Sequence, residues 1–142
     1  MKIISHRGSN VSNYKPNTKQ ALLTALSIDF IAGIEFDIRI TKDKKIVIIH
    51  DPIINFVSNG SGIVKNMKYK KILKYNFGTK ENPSKVCTLK GLLDDINSNK
   101  KIIIELKEES NDFKLFVDIV YNIIKNYDLN IYITSFNYNL IK

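Results

Sequence analysis

The segment that decides the fold runs from Ile34 to Asp51 and reads IEFDIRITKDKKIVIIHD. Residues 34–40 alternate between apolar and polar side chains, which is the pattern of a strand with two different faces. Residues 41–44 contain polar turn formers, and residues 46–49 are all apolar. This order predicts two adjacent strands joined by a turn, the second of them buried on both faces.

The rest of the chain repeats this alternation of short apolar runs with amphipathic segments. The apolar runs predict strands over residues 2–5, 34–40, 46–49, 102–107 and 131–134. Helical spacing predicts one helix that begins after Thr18 and ends at Gly33, one from Thr88 through Ile96, and one that begins at Ser110. Strands separated by helices favour right-handed βαβ units, so the expected fold class is α/β with a mostly parallel sheet, open or closed.

The only two histidines of the chain each follow a predicted strand, His6 after the first and His50 after the third. In parallel sheets, ligands bind at the carboxyl ends of the strands. Histidine titrates near neutrality and can act as either an acid or a base, so the two are a candidate pair for cleaving a phosphate ester. Ordinary loop or capping roles are the alternative.

A second group of polar residues lies on the strands themselves. Glu35, Asp37 and Arg39 share one face of their strand because strand side chains repeat every two residues, and Glu105 and Lys107 follow the same alternation on another strand. Two buried carboxylates repel each other unless a cation lies between them, so either Arg39 partly neutralises them or a metal does. Three carboxylates without sulfur suit Mg²⁺ or Ca²⁺. The alternative is an exposed edge strand with surface ion pairs.

Length and cysteine content narrow the class of protein. The 142 residues suffice for one domain with one core. Cys87 is the single cysteine, so a disulfide within the chain is excluded, and the absence of CxxC or Cys/His spacing argues against zinc and thioredoxin-like sites. Neither a leader peptide nor an apolar run of about 20 residues is visible, so we expect a cytoplasmic protein without a membrane span.

The net charge of +8 is compatible with nucleic acid, an anionic membrane surface or an anionic substrate, and does not choose among them. Only Arg7 and Arg39 among the 22 basic residues are arginine. The lysines of residues 42–45 and 68–71 lie in turn-like or amphipathic stretches without regularly spaced aromatic residues. This pattern favours a solvated surface and predicts no nucleic-acid partner.

Short motifs follow one another in a fixed order along nearly the whole chain. They are His6-Arg7-Gly8, Asn17-Thr18, Glu35-Phe36-Asp37, Thr41-Lys42-Asp43, His50-Asp51, Asn59-Gly60-Ser61-Gly62, Thr88-Leu89, Ile104-Glu105-Leu106-Lys107 and Ser135-Phe136. Each motif is weak alone, but the ordered series resembles the glycerophosphodiester phosphodiesterase family.

The resemblance implies a TIM-barrel hydrolase that uses a divalent metal to split glycerophosphodiesters into glycerol 3-phosphate and an alcohol. By that match the site residues form an acid and base pair, His6 and His50, a set of metal ligands, Glu35, Asp37 and Glu105, and two phosphate-binding cations, Arg7 and Lys107. We favour His50 as the base and His6 as the acid. The nucleophile would be water or the neighbouring glycerol hydroxyl, which would first give a cyclic phosphate.

The chain departs from the family pattern in three ways. Pro16 stands where the family usually has the glutamate of Pro-Glu-Asn-Thr, and Phe56 stands where it usually has an arginine; both bear on substrate fit. The third departure is length, because the barrel has eight strands and typically about 250 residues. We expect residues 1–142 to form a single glycerophosphodiester phosphodiesterase-like domain that lacks the C-terminal part of the barrel, with about five of its eight β/α units.

Other interpretations stay open. The chain could be a catalytically impaired remnant that keeps a phosphate site, or a subunit completed by a partner. A lipid-cleaving enzyme of the sphingomyelinase D type is a third candidate, although its secretion and disulfides find no support in the sequence. Open sheet edges near Ile3 and over residues 131–133 predict self-association. The expected substrate is a small-molecule phosphodiester.

Overall fold

The computed structural model of the chain describes residues 1–107 and 113–141. These residues form the strands β1 (Ile3–His6), β2 (Ile31–Ile40), β3 (Ile46–Ile48), β4 (Lys101–Leu106) and β5 (Ile131–Thr134). The helices are α1 (Lys19–Ser27), α2 (Tyr69–Ile72), α3 (Leu89–Leu93) and α4 (Phe113–Ile124). Short 3-10 turns span Val64–Asn66 and Tyr138–Leu140.

The strands form one sheet. β1, β2, β4 and β5 lie side by side in that order and run parallel, and β3 pairs antiparallel with the end of β2. Ile38 lies opposite Ile48, and Ile40 lies opposite Ile46, so the prediction of adjacent strands on either side of a turn is confirmed. The predicted α/β class with a mostly parallel sheet is confirmed as well.

The period of two along β2 separates an apolar face from a polar one. Ile34, Phe36 and Ile38 are completely buried and belong to the main core. Their partners come from the helices: Leu22 and Ala25 of α1, Leu92 of α3, and Phe116 and Val120 of α4. Burying each such large side chain stabilises the fold by about 1.5–3 kcal/mol. The helices thus cover one face of the sheet, and the charged residues of β2 lie on the other.

Helix α1 begins as predicted, because the Thr18 hydroxyl accepts a hydrogen bond from the Ala21 N–H at its N-terminus. The prediction that this helix runs to Gly33 is wrong, because the helix ends at Ser27 and Gly33 lies within β2. A Cβ at this position would lie only 2.4 Å from the Lys101 carbonyl oxygen. Gly33 is therefore needed for the close approach of β4 to β2.

Two further helix boundaries differ from the predictions or cannot be compared. Helix α3 begins after its N-cap Thr88 but ends at Leu93. Ile96, predicted to lie on it, is buried in the core from the connection that follows. Ser110, the predicted start of the next helix, lies outside the described residues.

Residues 52–88, which we call the cap, lie between the segment that leaves β3 with His50 and helix α3, and they pack around a small apolar cluster. Val47 of β3 and the adjacent Ile49 contribute to this cluster, and its buried members from the cap are Ile54, Val64, Met67, Ile72, Phe77 and Val86. The cap returns to the sheet where the Ile48 N–H donates to the Cys87 carbonyl. It is therefore a separately packed layer tied to the end of β3.

The strands β1 and β5 are the two edges of the sheet. Near the β5 edge, Tyr132, Phe136 and Tyr138 are exposed aromatic residues. Within the described part of the chain, no helix combines the length and apolarity needed to cross a bilayer.

Candidate active site

Three carboxylates meet at the carboxyl ends of β2 and β4. Glu35 and Asp37 are two residues apart on β2, and Glu105 lies directly opposite Asp37 in the parallel register of β4. One oxygen from each of the three lies within 4.8 Å of the other two. The structure thus brings together the three residues that the sequence identifies as candidate metal ligands.

Two cations accompany the three carboxylates. Arg7 Nε lies 2.9 Å from Asp37 Oδ2, and Lys107 Nζ lies 2.6 Å from Glu105 Oε1 and 3.7 Å from Asp37 Oδ1. Asp37 is completely buried, so these pairs sit where water screens them poorly. With all three carboxylates ionised, the cluster would still carry one uncompensated negative charge.

Several oxygens of the cluster lack a hydrogen bond. Both carboxylate oxygens of Glu35, Oδ1 of Asp37 and Oε1 of Glu105 are buried and accept none, although Lys107 lies near the last two as an ion-pair partner. Buried polar groups are normally satisfied, so unsatisfied acceptors indicate a missing partner. Hard oxygen donors around one point suit a divalent cation such as Mg²⁺ or Ca²⁺.

The surroundings of Glu35 change the pKa of its carboxyl group. Burial, followed by the neighbouring charges of Asp37 and Glu105, raises the pKa of Glu35 to about 7, against smaller opposing effects of Arg7 and Lys107. The cluster therefore holds a proton more readily than an exposed carboxylate does. A bound cation would displace that proton.

The sequence left open whether Arg39 or a metal offsets the negative charge of the carboxylates. In the structure, Arg39 also donates hydrogen bonds to two backbone carbonyls. Its Nε donates to the His50 carbonyl at 2.7 Å, and its Nη1 donates to the Lys107 carbonyl at 2.8 Å. The side chain is buried, and the two carbonyls belong to the segments that leave β3 and β4. Arg39 thus fixes the backbone of two candidate site residues.

Both histidines lie beside the carboxylates. His6, His50, Arg7, Glu105 and Lys107 line one cavity together with Glu35. The His6 side chain is 67% exposed, and its Nε2 lies 3.7 Å from a Glu35 oxygen. His50 Nδ1 lies 2.8 Å from Asp51 Oδ1. An ionised carboxylate only accepts hydrogen bonds, so this contact makes Nδ1 the donor and leaves Nε2 with a lone pair.

The contacts by which Asn17 and Asp51 position other site residues were not predicted from the sequence. Asn17 Nδ2 donates to Asp37 Oδ2 at 2.9 Å, and its backbone N–H donates to the Arg7 carbonyl. Both Arg7 and Asn17 have a positive φ, which is uncommon outside glycine and more frequent for asparagine. The available signals were an asparagine ahead of a capping threonine and an aspartate directly after a histidine.

A second cavity adjoins the first and shares Arg7 and His50 with it. Cap residues form one wall, including Phe56 and Phe77, while Pro16 lies on the other side. Pro16 and Phe56 are the two positions at which the sequence departs from the motif pattern. Both departures therefore fall in the same cavity.

Comparison with known proteins finds matches to one family. The model of the glycerophosphoryl diester phosphodiesterase family matches residues 6–139. A glycerophosphodiester phosphodiesterase from Caldanaerobacter subterraneus subsp. tengcongensis is 30% identical over 145 residues, which cover 96% of this chain and 58% of that protein. One from Bacillus altitudinis is 39% identical over 71 residues, covering 50% of this chain and 28% of that protein.

Solved structures of known proteins share the fold of this chain. A glycerophosphodiester phosphodiesterase from Agrobacterium tumefaciens C58 superposes with a TM-score of 0.83 at 26% identity, covering 99% of this chain and 60% of that one. An Oleispira antarctica phosphodiesterase, solved with the product sn-glycerol-3-phosphate, gives a TM-score of 0.86 at 21% identity, with 99% and 60% covered. The fold is therefore an incomplete TIM-barrel-type sheet, and the chain spans about half the length of the relatives that it matches.

Proposed function

The chain belongs to the glycerophosphoryl diester phosphodiesterase family, and from that premise we propose that it hydrolyses glycerophosphodiesters to glycerol 3-phosphate and an alcohol. The observation that carries the proposal is a cluster of three hydrogen-bond-poor carboxylates, two of which, Glu35 and Glu105, line one cavity together with both histidines. The product complex of the Oleispira antarctica relative supports the same substrate class.

We assign the phosphate to Arg7 and Lys107, because both cations line the cavity beside the carboxylates. Glu35, Asp37 and Glu105 would hold Mg²⁺ or Ca²⁺, which when bound neutralises charge on the phosphodiester. The lack of hydrogen bonds on four of their oxygens supports this assignment.

In the proposed reaction His50 is the base and His6 is the acid. The contact with Asp51 favours the tautomer of the neutral His50 ring that carries its proton on Nδ1, so Nε2 carries the lone pair. That nitrogen would accept the proton of the attacking water or of the neighbouring glycerol hydroxyl. His6, which is largely exposed, would donate a proton to the departing alkoxide.

We also propose that residues 1–142 form one domain of five strands, of which the four parallel ones belong to the barrel, and that its open edges at β1 and β5 favour self-association. The alternative function is a phosphate-binding remnant or a subunit completed by a partner. A cytoplasmic location is consistent with the single cysteine.

A panel of phosphodiesters that includes glycerophosphocholine tests the proposal. Release of glycerol 3-phosphate is measured with Mg²⁺, with Ca²⁺ and with a chelator, for the full chain over a range of protein concentrations. We expect turnover that the chelator abolishes. Activity that resists the chelator would contradict the metal assignment. Binding of glycerol 3-phosphate without turnover would favour the remnant, and a rate per chain that rises steeply with concentration would favour a subunit that needs a partner.

A further inference from the structure

The positive charge of this protein is concentrated in one segment. Residues 41–88 contain ten lysines and three acidic residues, a net charge of +7. The remaining residues contain twelve lysines and arginines and eleven acidic residues, a net charge of +1. A chain that was merely rich in lysine would show the same imbalance throughout, so the asymmetry belongs to this segment.

The fold gathers these lysines on one surface. The turn between β2 and β3 packs against the cap, because the Lys42 N–H donates to the Met67 carbonyl and the Tyr69 N–H donates to Asp43 Oδ1. Seven exposed lysines surround this contact and form what we call the basic surface: Lys42, Lys44, Lys45, Lys65, Lys68, Lys70 and Lys71. Within residues 1–107 and 113–141, none of the seven forms an ion pair.

The single acidic residue within this surface offsets only one of its seven positive charges. The Asp43 carboxylate, which interacts electrostatically with Lys45, accepts hydrogen bonds from the Thr41 hydroxyl at 2.7 Å and from the Tyr69 backbone at 2.9 Å, and so also holds the turn to the cap. A net charge of +6 is left to attract an external anion. Several such groups on one side of a molecule act together on an extended anionic surface.

Exposed apolar side chains accompany the lysines. The side chain of Phe56 is 81% exposed and that of Ile63 is 42% exposed, and both belong to the cap. A segment that combines exposed basic residues with exposed bulky apolar ones is typical of proteins that bind at a lipid interface, where the charges meet headgroups and the apolar groups enter the acyl boundary. Nucleic acid is less well matched, because single-strand binding uses a series of stacking aromatic residues.

We propose that the cap, through its basic surface, docks on bilayers that contain anionic phospholipids. The turn that carries Lys42 and Lys44 follows the carboxyl end of β2, which is the end that also carries Asp37. Docking would therefore bring the candidate active site to the membrane side of the protein. The proposal goes beyond the proposed hydrolysis and does not depend on turnover.

Sedimentation of the full chain with vesicles tests the docking. The vesicles are either pure phosphatidylcholine or phosphatidylcholine with about one third phosphatidylglycerol, at about 0.1 M salt. We expect binding to the anionic vesicles at least tenfold stronger than to the neutral ones, and weaker as salt increases. Equal binding to both compositions, or no binding to either, would overturn the proposal.

Two charge-matched variants locate the surface. Lys68→Glu, Lys70→Glu and Lys71→Glu together should weaken binding to anionic vesicles about a hundredfold, since each lysine near the membrane contributes substantially. Lys2→Glu, Lys114→Glu and Lys125→Glu change the net charge equally outside the basic surface and should weaken binding less than threefold. Equal losses in the two variants, with both folded by circular dichroism, would overturn the assignment to the cap.

Two further measurements separate the alternatives. Phe56→Ser should weaken vesicle binding severalfold without changing its dependence on salt, because it removes only apolar contact; an unchanged affinity would overturn the interfacial role of Phe56. Short DNA and RNA are offered as competitors, and release from vesicles at stoichiometric nucleic acid would overturn the lipid assignment in favour of nucleic acid. None of these readouts requires hydrolysis, so failure of the phosphodiester panel and failure of docking are distinguishable.

Discussion

The parallel sheet and the cap both line the candidate active site, but they hold their residues in different ways. In the sheet, backbone register sets the positions, because Asp37 faces Glu105 through paired strands and Arg39 holds the segments that follow β3 and β4. In the cap, short helices and turns pack on a small apolar cluster and leave seven lysines exposed. The sheet carries the negative groups that need fixed geometry, and the cap carries positive groups that act at long range.

This contrast predicts that changes in the sheet and in the segments that leave its strands abolish function, whereas changes in the cap adjust it. The largest effect is expected at the most buried residue of the carboxylate cluster.

Asp37→Asn should lower the rate of phosphodiester hydrolysis by about 10⁴-fold, because this fully buried carboxylate pairs with Arg7 and Lys107 and is one of three candidate metal ligands. The substitution also leaves two partly buried cations with a weakened partner, so the free energy of unfolding should fall by about 3 kcal/mol. Steady-state rates and urea unfolding measure the two effects. Asp128→Asn, on an exposed residue, is the control and should change neither.

His50→Ala should lower the rate by about 10³-fold, as expected for loss of a general base. The unfolding free energy should change by less than 1 kcal/mol, because the side chain is partly exposed. Asp51→Asn should have a smaller effect of the same kind, since Asp51 orients the ring and does not accept the substrate proton. Equal rates for wild type and His50→Ala would rule out the proposed base.

The pKa of Glu35 makes stability depend on pH in the metal-free protein. Its pKa is raised from 4.5 to about 7 by folding, so the folded state binds the proton more tightly than the unfolded state. The resulting stabilisation is complete below pH 4.5 and is lost as the pH rises to about 7, at most about 3 kcal/mol.

Chemical unfolding between pH 5 and pH 8 checks this dependence. In Glu35→Gln the slope that Glu35 contributes should disappear, whereas Glu81→Gln, in the exposed part of the cap, should retain the wild-type slope. A wild type whose stability increased steadily over this range, in parallel with Glu35→Gln, would contradict the expected proton uptake.

Phe56→Ala should have the smallest effect on the reaction, a change of severalfold in KM with kcat nearly unchanged. Phe56 lines the cavity beside the carboxylate site and is otherwise exposed, so it can contact the alcohol part of a substrate but not the reacting atoms. Kinetics on glycerophosphodiesters with different alcohols measure the effect. A large loss of kcat would place the cap within the catalytic machinery and remove the contrast with the sheet.

Local patterns predicted the sheet well because its strands follow a strict period. The alternation at residues 34–40 indicated both the strand and the shared face of Glu35 and Asp37, and the strand Ile131–Thr134 was predicted to the residue. Gly33 was misread as the end of a helix because glycine is a common stop signal. Its actual role depends on the carbonyl of Lys101, which is distant in sequence.

The parts of the site that escaped prediction depend on contacts between distant segments. Arg39 reaches carbonyls 11 and 68 residues further along the chain, and Asn17 reaches Asp37 across 20 residues. No local period encodes such contacts. The cap was also hard to predict, because helices as short as Tyr69–Ile72 are too brief to display the spacing of an amphipathic helix.

Calorimetric titration of Mg²⁺ and Ca²⁺ into the full chain, at about pH 8 and so above the pKa of Glu35, shows whether Glu35, Asp37 and Glu105 form one divalent-cation site. We expect one saturable site per chain for at least one of the two cations. Glu105→Gln should weaken binding at least tenfold, whereas the control Glu81→Gln should bind as the wild type does. Absence of saturable binding of either cation to the wild type, or equal binding by both variants, would show that the three carboxylates do not form a cation site.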